Sequence, residues 1–187
     1  MATLVANDPL VEELMQVEGK AEIVGGKILK IMPTGGKPSY AASRILLALA
    51  MVEEEAGGIA FGDNAGFLCD LPDRKSFSPD AAFYIGPQPD MGFLPVPPVF
   101  AVEVRSENDY GRRAEAAITQ KIAAYFAAGT LVVWDVDLQD EEVVAKYDAR
   151  NPTSPQIFRR GESADAAPAV PNWSMPVDAL FAPVRSR

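Results

Sequence analysis

The sequence predicts an α/β fold built on a mixed central β-sheet flanked by helices, and three stretches carry that expectation. Residues 99–104 and 131–137 are apolar on both faces, as strands in the middle of a sheet are, and residues 112–128 between them keep helical spacing up to Gly129. A strand, a helix of about four turns and a second strand form a βαβ unit, whose strands lie parallel and adjacent through a right-handed crossover. Residues 21–24 and 27–32 flank Gly25-Gly26 and read as a hairpin, so the sheet also contains antiparallel strands.

The other elements follow from local chemistry. Asp8-Pro9 opens an N-terminal helix, with Asp as N-cap and Pro in the first turn, and Leu10, Val11, Leu14 and Met15 keep its apolar spacing until Gly19. Pro33-Thr34-Gly35-Gly36-Lys37-Pro38 is a loop. A long helix over about 39–55 buries Ile45, Leu46, Leu49 and Val52 and stops at Gly57-Gly58. Short strands are expected at 59–61, 66–69 and 80–84. Five prolines within 86–98 make that segment an irregular surface loop. Residues 142–147 and 156–158 are read as edge strands, and a short packed segment at 177–181 closes the tail. Nothing divides residues 1–187 into two parts, so one domain is expected, with its core at about 10–182.

Composition narrows the chemistry. The 187 residues include no histidine, which removes Ser-His-Asp and Cys-His catalysis, histidine-ligated zinc and a histidine base. One cysteine, Cys69, supplies neither an intrachain disulfide nor a thiolate zinc site, and it fits a reducing compartment. With no signal-peptide pattern and no apolar run long enough to span a bilayer, a cytoplasmic protein with no membrane association is expected. What remains is carboxylate, lysine and oxygen-ligated metal chemistry, which suits Mg²⁺ or Mn²⁺. The net charge of −9 opposes tight non-specific DNA binding, so any nucleic-acid contact must use a local basic patch. Arg112-Arg113, Arg74-Lys75, Lys37 with Arg44, and Arg159-Arg160 are the candidates.

Three polar residues stand where apolar ones are expected. Glu103 lies in the most hydrophobic strand and shares its face with Ala101 and Arg105. Buried, it requires a partner, whether Arg105 or a group from elsewhere; at a frayed strand end it would meet water. Lys121 falls on the helix stripe of Ala114, Ala117, Ile118, Tyr125 and Ala128, where it either snorkels to the rim or reaches a carboxylate such as Glu103. Asp80 follows Pro79 as a strand begins.

In order and spacing these residues resemble the PD-(D/E)xK restriction-endonuclease-like superfamily. Within it they are most similar to the large bacterial Uma-type family of restriction-endonuclease relatives, long catalogued as a domain of unknown function. The resemblance rests on Ala21-Glu22-Ile23-Val24-Gly25-Gly26, Met32-Pro33-Thr34-Gly35 and Ser78-Pro79-Asp80-Ala81-Ala82-Phe83. It continues through residues 97–106, residues 121–129 with Trp134 following, and 170–173 with Leu180-Phe181. It implies a restriction-endonuclease-like fold and a Mg²⁺- or Mn²⁺-dependent endodeoxyribonuclease that hydrolyses DNA. Asp80, Glu103 and the backbone carbonyl of Val104 would hold the metal, Lys121 would orient water or stabilise the transition state, and Glu22 would be a further ligand or a base. Two departures stand out. The superfamily's lysine slot, two residues after the second acid, holds Arg105, with Lys121 on the next helix in its place. A histidine common in the loop before the long helix is missing from Lys37-Pro38-Ser39-Tyr40. The alternative is a catalytically inactive member of the fold, acting as a dimeric binding or interaction module. Under either reading a homodimer is expected, with Pro95-Val96-Pro97-Pro98 and Trp173-Ser174-Met175-Pro176 as apolar surface to be covered.

Overall fold

The structure is a computed structural model describing residues 8–183. Helix α1 (Pro9–Leu14) is capped by Asp8, whose carboxylate accepts from the Leu10 N–H at 2.9 Å. It ends well short of Gly19. Strands β1 (Ala21–Val24) and β2 (Lys27–Lys30) form the expected hairpin. Helix α2 (Gly36–Ala50) begins three residues before the expected start and tolerates Pro38 because the proline lies in the first turn. A separate turn of helix, α3 (Glu53–Ala56), ends at Gly57, whose φ of 68° is the left-handed cap that glycine adopts without strain.

Strands β3 (Ile59–Gly62), β4 (Phe67–Leu71), β5 (Arg74–Phe77) and β6 (Ala81–Tyr84) follow. After the proline-rich loop come β7 (Phe100–Val104), helix α4 (Arg112–Ala128), β8 (Val132–Val136), β9 (Val144–Asp148) and β10 (Asn151–Phe158). The chain closes with β11 (Ser163–Ala166), β12 (Val170–Pro176) and a 3₁₀ turn at Val177–Leu180.

Six strands make the central sheet in the order β10-β9-β8-β7-β6-β3. Strands β7 and β8 are parallel and joined through α4, and every other pair in this sheet is antiparallel. The sheet is therefore mixed, as the βαβ unit and the hairpins require. Strand β9 lies between β8 and β10, so of these two only β10 is an edge strand, which corrects the expectation for β9. The N-terminal hairpin joins β5 and β4 in a second sheet, β2-β1-β5-β4, and β11 pairs with β12 in a third.

Alternation along the central strands divides the core. Phe100, Val102, Val104, Trp134 and Val136 face α2 and the β11–β12 hairpin, burying Ile45, Leu49, Trp173 and Met175. Ala82, Tyr84, Ala101 and Val133 face the other way, toward α4 and the second sheet, where Phe77 stacks on Tyr125 with centroids 4.1 Å apart. Trp173 and Met175 are buried in the chain's own core, which corrects the reading of that segment as apolar surface. Pro98 is buried too, and Pro95, Val96 and Pro97 are partly covered.

Candidate active site

Glu103 points to the α4 side of the central sheet because it is two residues from Ala101 along the strand. Helix α4 packs on that face through Ile122 and Tyr125, which brings Lys121 over the strand. The Lys121 ammonium lies 2.8 Å from Glu103 Oε2, and the Tyr125 hydroxyl donates to Glu103 Oε1 at 2.7 Å. The partner of Glu103 thus comes from the helix. Arg105 turns away from it, forking onto Asp135 (Nε to Oδ1 2.8 Å, Nη2 to Oδ2 2.7 Å) and onto Glu115 at 2.6 and 3.1 Å. The residue in the superfamily's lysine slot ties β7, β8 and α4 together and leaves Glu103 to Lys121.

Asp80 sits where β6 begins. Its N–H donates to the Val102 carbonyl at 2.9 Å, and its Oδ2 accepts from the Val104 N–H at 2.7 Å. Those two bonds fix its carboxylate beside Glu103 at the same end of the sheet. Glu22 arrives from the second sheet. Its Oε1 accepts from the Ser78 N–H at 2.8 Å and lies 2.9 Å from Lys121 Nζ, while Oε2 pairs with Arg74 at 2.5 Å. Lys121 is therefore held between Glu22 and Glu103. Asp80, Glu103, Val104 and Lys121 line one cleft together with Lys20, Thr34, Asp63, Arg74 and Ile118. The Oγ1 of Thr34 is buried there without a protein hydrogen-bond partner.

Composition and periodicity gave no sign of Lys20, Asp63 or the Tyr125 hydroxyl, and they offered Arg74 only as part of a basic surface pair. The Lys20 ammonium lies 2.6 Å from Asp80 Oδ1 and 2.7 Å from Asp63 Oδ1. Several of the candidate basic pairs are absorbed by acids: Arg74 by Glu22, Lys75 by Asp70, Arg159 by Glu142 and Arg160 by Asp178. Lys37, Arg44, Arg112 and Arg113 are exposed.

The charges of this cluster act on one another across ion pairs of 2.8 and 2.9 Å. Burial pushes the Glu103 carboxyl up to about 7; Lys121 opposes the rise and the nearby Asp80 and Glu22 charges add to it. Burial also works against Lys121, yet Glu103 and Glu22 outweigh it and hold the ammonium above its ordinary value. Glu22 is raised by burial, but Lys121 and Arg74 reverse the effect and leave it below the usual carboxylate range. Because folding raises the Glu103 pKa, its proton stabilises the folded state fully below about 4.5, and that stabilisation is lost as pH rises through about 7. Without added metal, the melting temperature of the wild type relative to Glu103→Gln is expected to fall by several degrees between about pH 5 and pH 8. Calorimetric melts at matched ionic strength measure this, and a pH-independent difference would refute it.

A metal must be judged against these donors. Among the described residues, no group of three His, Cys, Asp or Glu side chains is arranged as a metal shell. The carboxylates lining the cleft beside Val104, Asp80 and Glu103 above all, are hard oxygen donors. That set fits Mg²⁺ or Mn²⁺, which keep several waters and bind through one or two carboxylates and substrate oxygens. It does not fit zinc.

A mixed sheet carrying Asp80 and Glu103 at one end, with Lys121 delivered by the crossover helix, defines a restriction-endonuclease-like fold. The solved structure of a "putative nuclease belonging to DUF820" from Anabaena variabilis is similar in fold, with a TM-score of 0.70 at 21% identity over 92% of this chain and 97% of that one. The chain belongs to the Uma2 family, described as "Putative restriction endonuclease", whose model matches residues 11–178. No protein of curated function matches it. Among the described residues no helix is long and apolar enough to cross a membrane.

Proposed function

We propose that this protein is a Mg²⁺- or Mn²⁺-dependent endodeoxyribonuclease acting at the cleft between β6, β7 and α4. The observation that carries the reading is the convergence of two carboxylates and a lysine on that cleft, Asp80 and Glu103 with Lys121 at 2.8 Å from the latter. The family description points the same way. Asp80 and Glu103, with the Val104 carbonyl, would hold the ion, which when bound neutralises phosphate charge and acidifies water. Lys121 has three N–H donors, of which Glu22 and Glu103 occupy two. The third is available to orient the attacking water or to meet charge growing on a phosphate oxygen. Glu22, enclosed by Lys121, Arg74 and the Ser78 N–H, acts as a positioning residue in this scheme. Arg105, committed to Asp135 and Glu115, supports the frame of the site. The test is conversion of supercoiled plasmid to nicked and linear forms in Mn²⁺ or Mg²⁺, abolished by chelator. Intact plasmid at stoichiometric protein would end the proposal.

One observation favours the second reading, an inactive binding module. Both carboxylates already carry protein cations, Asp80 through Lys20 and Glu103 through Lys121, so the site is charge-balanced without a metal. Protein that remains inert toward plasmid in either metal supports that reading.

Cleavage of both strands calls for two sites related by a two-fold axis. The edges of the central sheet at β3 and β10 leave unpaired backbone groups through which a second copy could pair. Sedimentation at micromolar concentration is expected to give twice the chain mass of 20.1 kDa. A monomer would leave nicking of single strands as the reaction.

A further inference from the structure

Lys20 lines the cleft without a role in the proposed reaction, and it sits directly on one of Asp80's two carboxylate oxygens. Oδ2 of Asp80 is spent on the Val104 N–H at 2.7 Å. Oδ1 is the oxygen left to an incoming ion, and Lys20 Nζ is already 2.6 Å from it. A hard divalent ion would approach that oxygen to about 2.0–2.1 Å. Two cations cannot both occupy the same side of one carboxylate oxygen without strong repulsion. The lysine is mostly buried, with 13% of its side chain exposed, whereas Asp63, its second partner at 2.7 Å, is 49% exposed. Lys20 follows Gly19, whose φ of 90° marks a turn between α1 and β1, and its carbonyl accepts from the Ile31 N–H at 2.8 Å, so a displacement would be a swing of the side chain alone.

We infer that Lys20 is a built-in counter-cation of Asp80 that a divalent ion displaces on entry, and that Asp63 takes up the displaced ammonium. This rests on the metal-dependent reading above and adds to it a residue that sets metal affinity. Without metal, Lys20 spares the mostly buried Asp80 from facing Glu103 uncompensated, which would cost stability. With metal, the ammonium swings toward the more exposed Asp63 and stays in the cleft as a positive charge. Loading the ion therefore exchanges one cation for another, and affinity is reduced by the strength of the Lys20–Asp80 pair.

The test is calorimetry of the full chain with Mn²⁺ alone, supported by the Mn²⁺ spin-resonance signal and by thermal melts that verify folding. Lys20→Gln is expected to bind Mn²⁺ at least about tenfold more tightly than the wild type. Asp63→Asn, a change on an exposed side chain, is expected to weaken binding severalfold, because Lys20 is then left wholly to Asp80. In the double variant that loss should largely vanish, since no ammonium remains to be accommodated. Equal or weaker binding by Lys20→Gln, in a protein whose site is lost in Asp80→Asn, overturns the role of Lys20 while leaving the metal reading intact. A loss from Asp63→Asn of equal size in both backgrounds overturns the role of Asp63 as acceptor. No Mn²⁺ binding by the wild type or by Lys20→Gln overturns the inference and the metal reading together. Should Lys20→Gln fail to fold, Lys20→Met takes its place in the same comparison, and equal or weaker Mn²⁺ binding by it overturns the inference.

Discussion

Replacing Asp80 by Asn, or Glu103 by Gln, is expected to reduce metal-dependent plasmid cleavage by roughly 10²–10³-fold or more. Each substitution removes one formal charge from a two-carboxylate site while nearly preserving shape. In the proposed site only these two carboxylates and a main-chain carbonyl would hold the ion, so the loss of either should be felt in full. The two variants should differ in stability. Asp80→Asn can keep an oxygen facing the Val104 N–H but loses the negative charge that pairs with Lys20 at 2.6 Å. Glu103→Gln removes a carboxylate whose burial already opposes ionisation, pushing it up to about 7, so its fold should suffer less. A loss of cleavage with an unchanged melting profile identifies a chemical role. Full activity in both variants would remove these carboxylates from the mechanism.

Much of the fold could be read in advance because the decisive signals were local. The apolar strand around Glu103, the helix ending at Gly129 and the apolar strand after it fix β7, α4 and β8 and their parallel pairing. The same segment yields Glu103 and Lys121, since a charged residue on an apolar face stands out against its neighbours. Lys20 could not be found that way. It lies in a short turn rich in charge and glycine, and its partner Asp80 is 60 residues distant. Strand β5 was hidden for a related reason. Arg74-Lys75-Ser76-Phe77 reads as polar, because Arg74 and Lys75 are spent on Glu22 and Asp70 and the Ser76 hydroxyl accepts from the Ile23 N–H. Strands β11 and β12 escaped because Pro168, Pro171 and Pro176 interrupt the pattern that buries Ala164, Val170, Trp173 and Met175. In each case the missing information is a pairing between distant segments, which no periodicity contains.

Lys121→Met is expected to cost on the order of 3–5 kcal/mol of stability, the largest effect of any single change at the site. The ammonium lies 2.9 Å from Glu22 Oε1 and 2.8 Å from Glu103 Oε2, and the three side chains are only 17%, 6% and 18% exposed. Methionine matches the stem and leaves two enclosed carboxylates facing one another with no shared cation. Glu103 can relieve this by taking a proton, since burial already raises its pKa; Glu22, held low by Lys121 and Arg74, keeps Arg74 at 2.5 Å. The cost should therefore shrink at acidic pH, where Glu103 is protonated in both proteins, and grow toward pH 8. Denaturant unfolding at about pH 5 and pH 8 measures both points. The double variant Glu22→Gln/Lys121→Met should lose less than the sum of the two single changes, because the first has already removed one of the stranded charges. Strict additivity, or a cost below about 1 kcal/mol at pH 8, would mean that Lys121 reaches solvent and does not bridge the two acids.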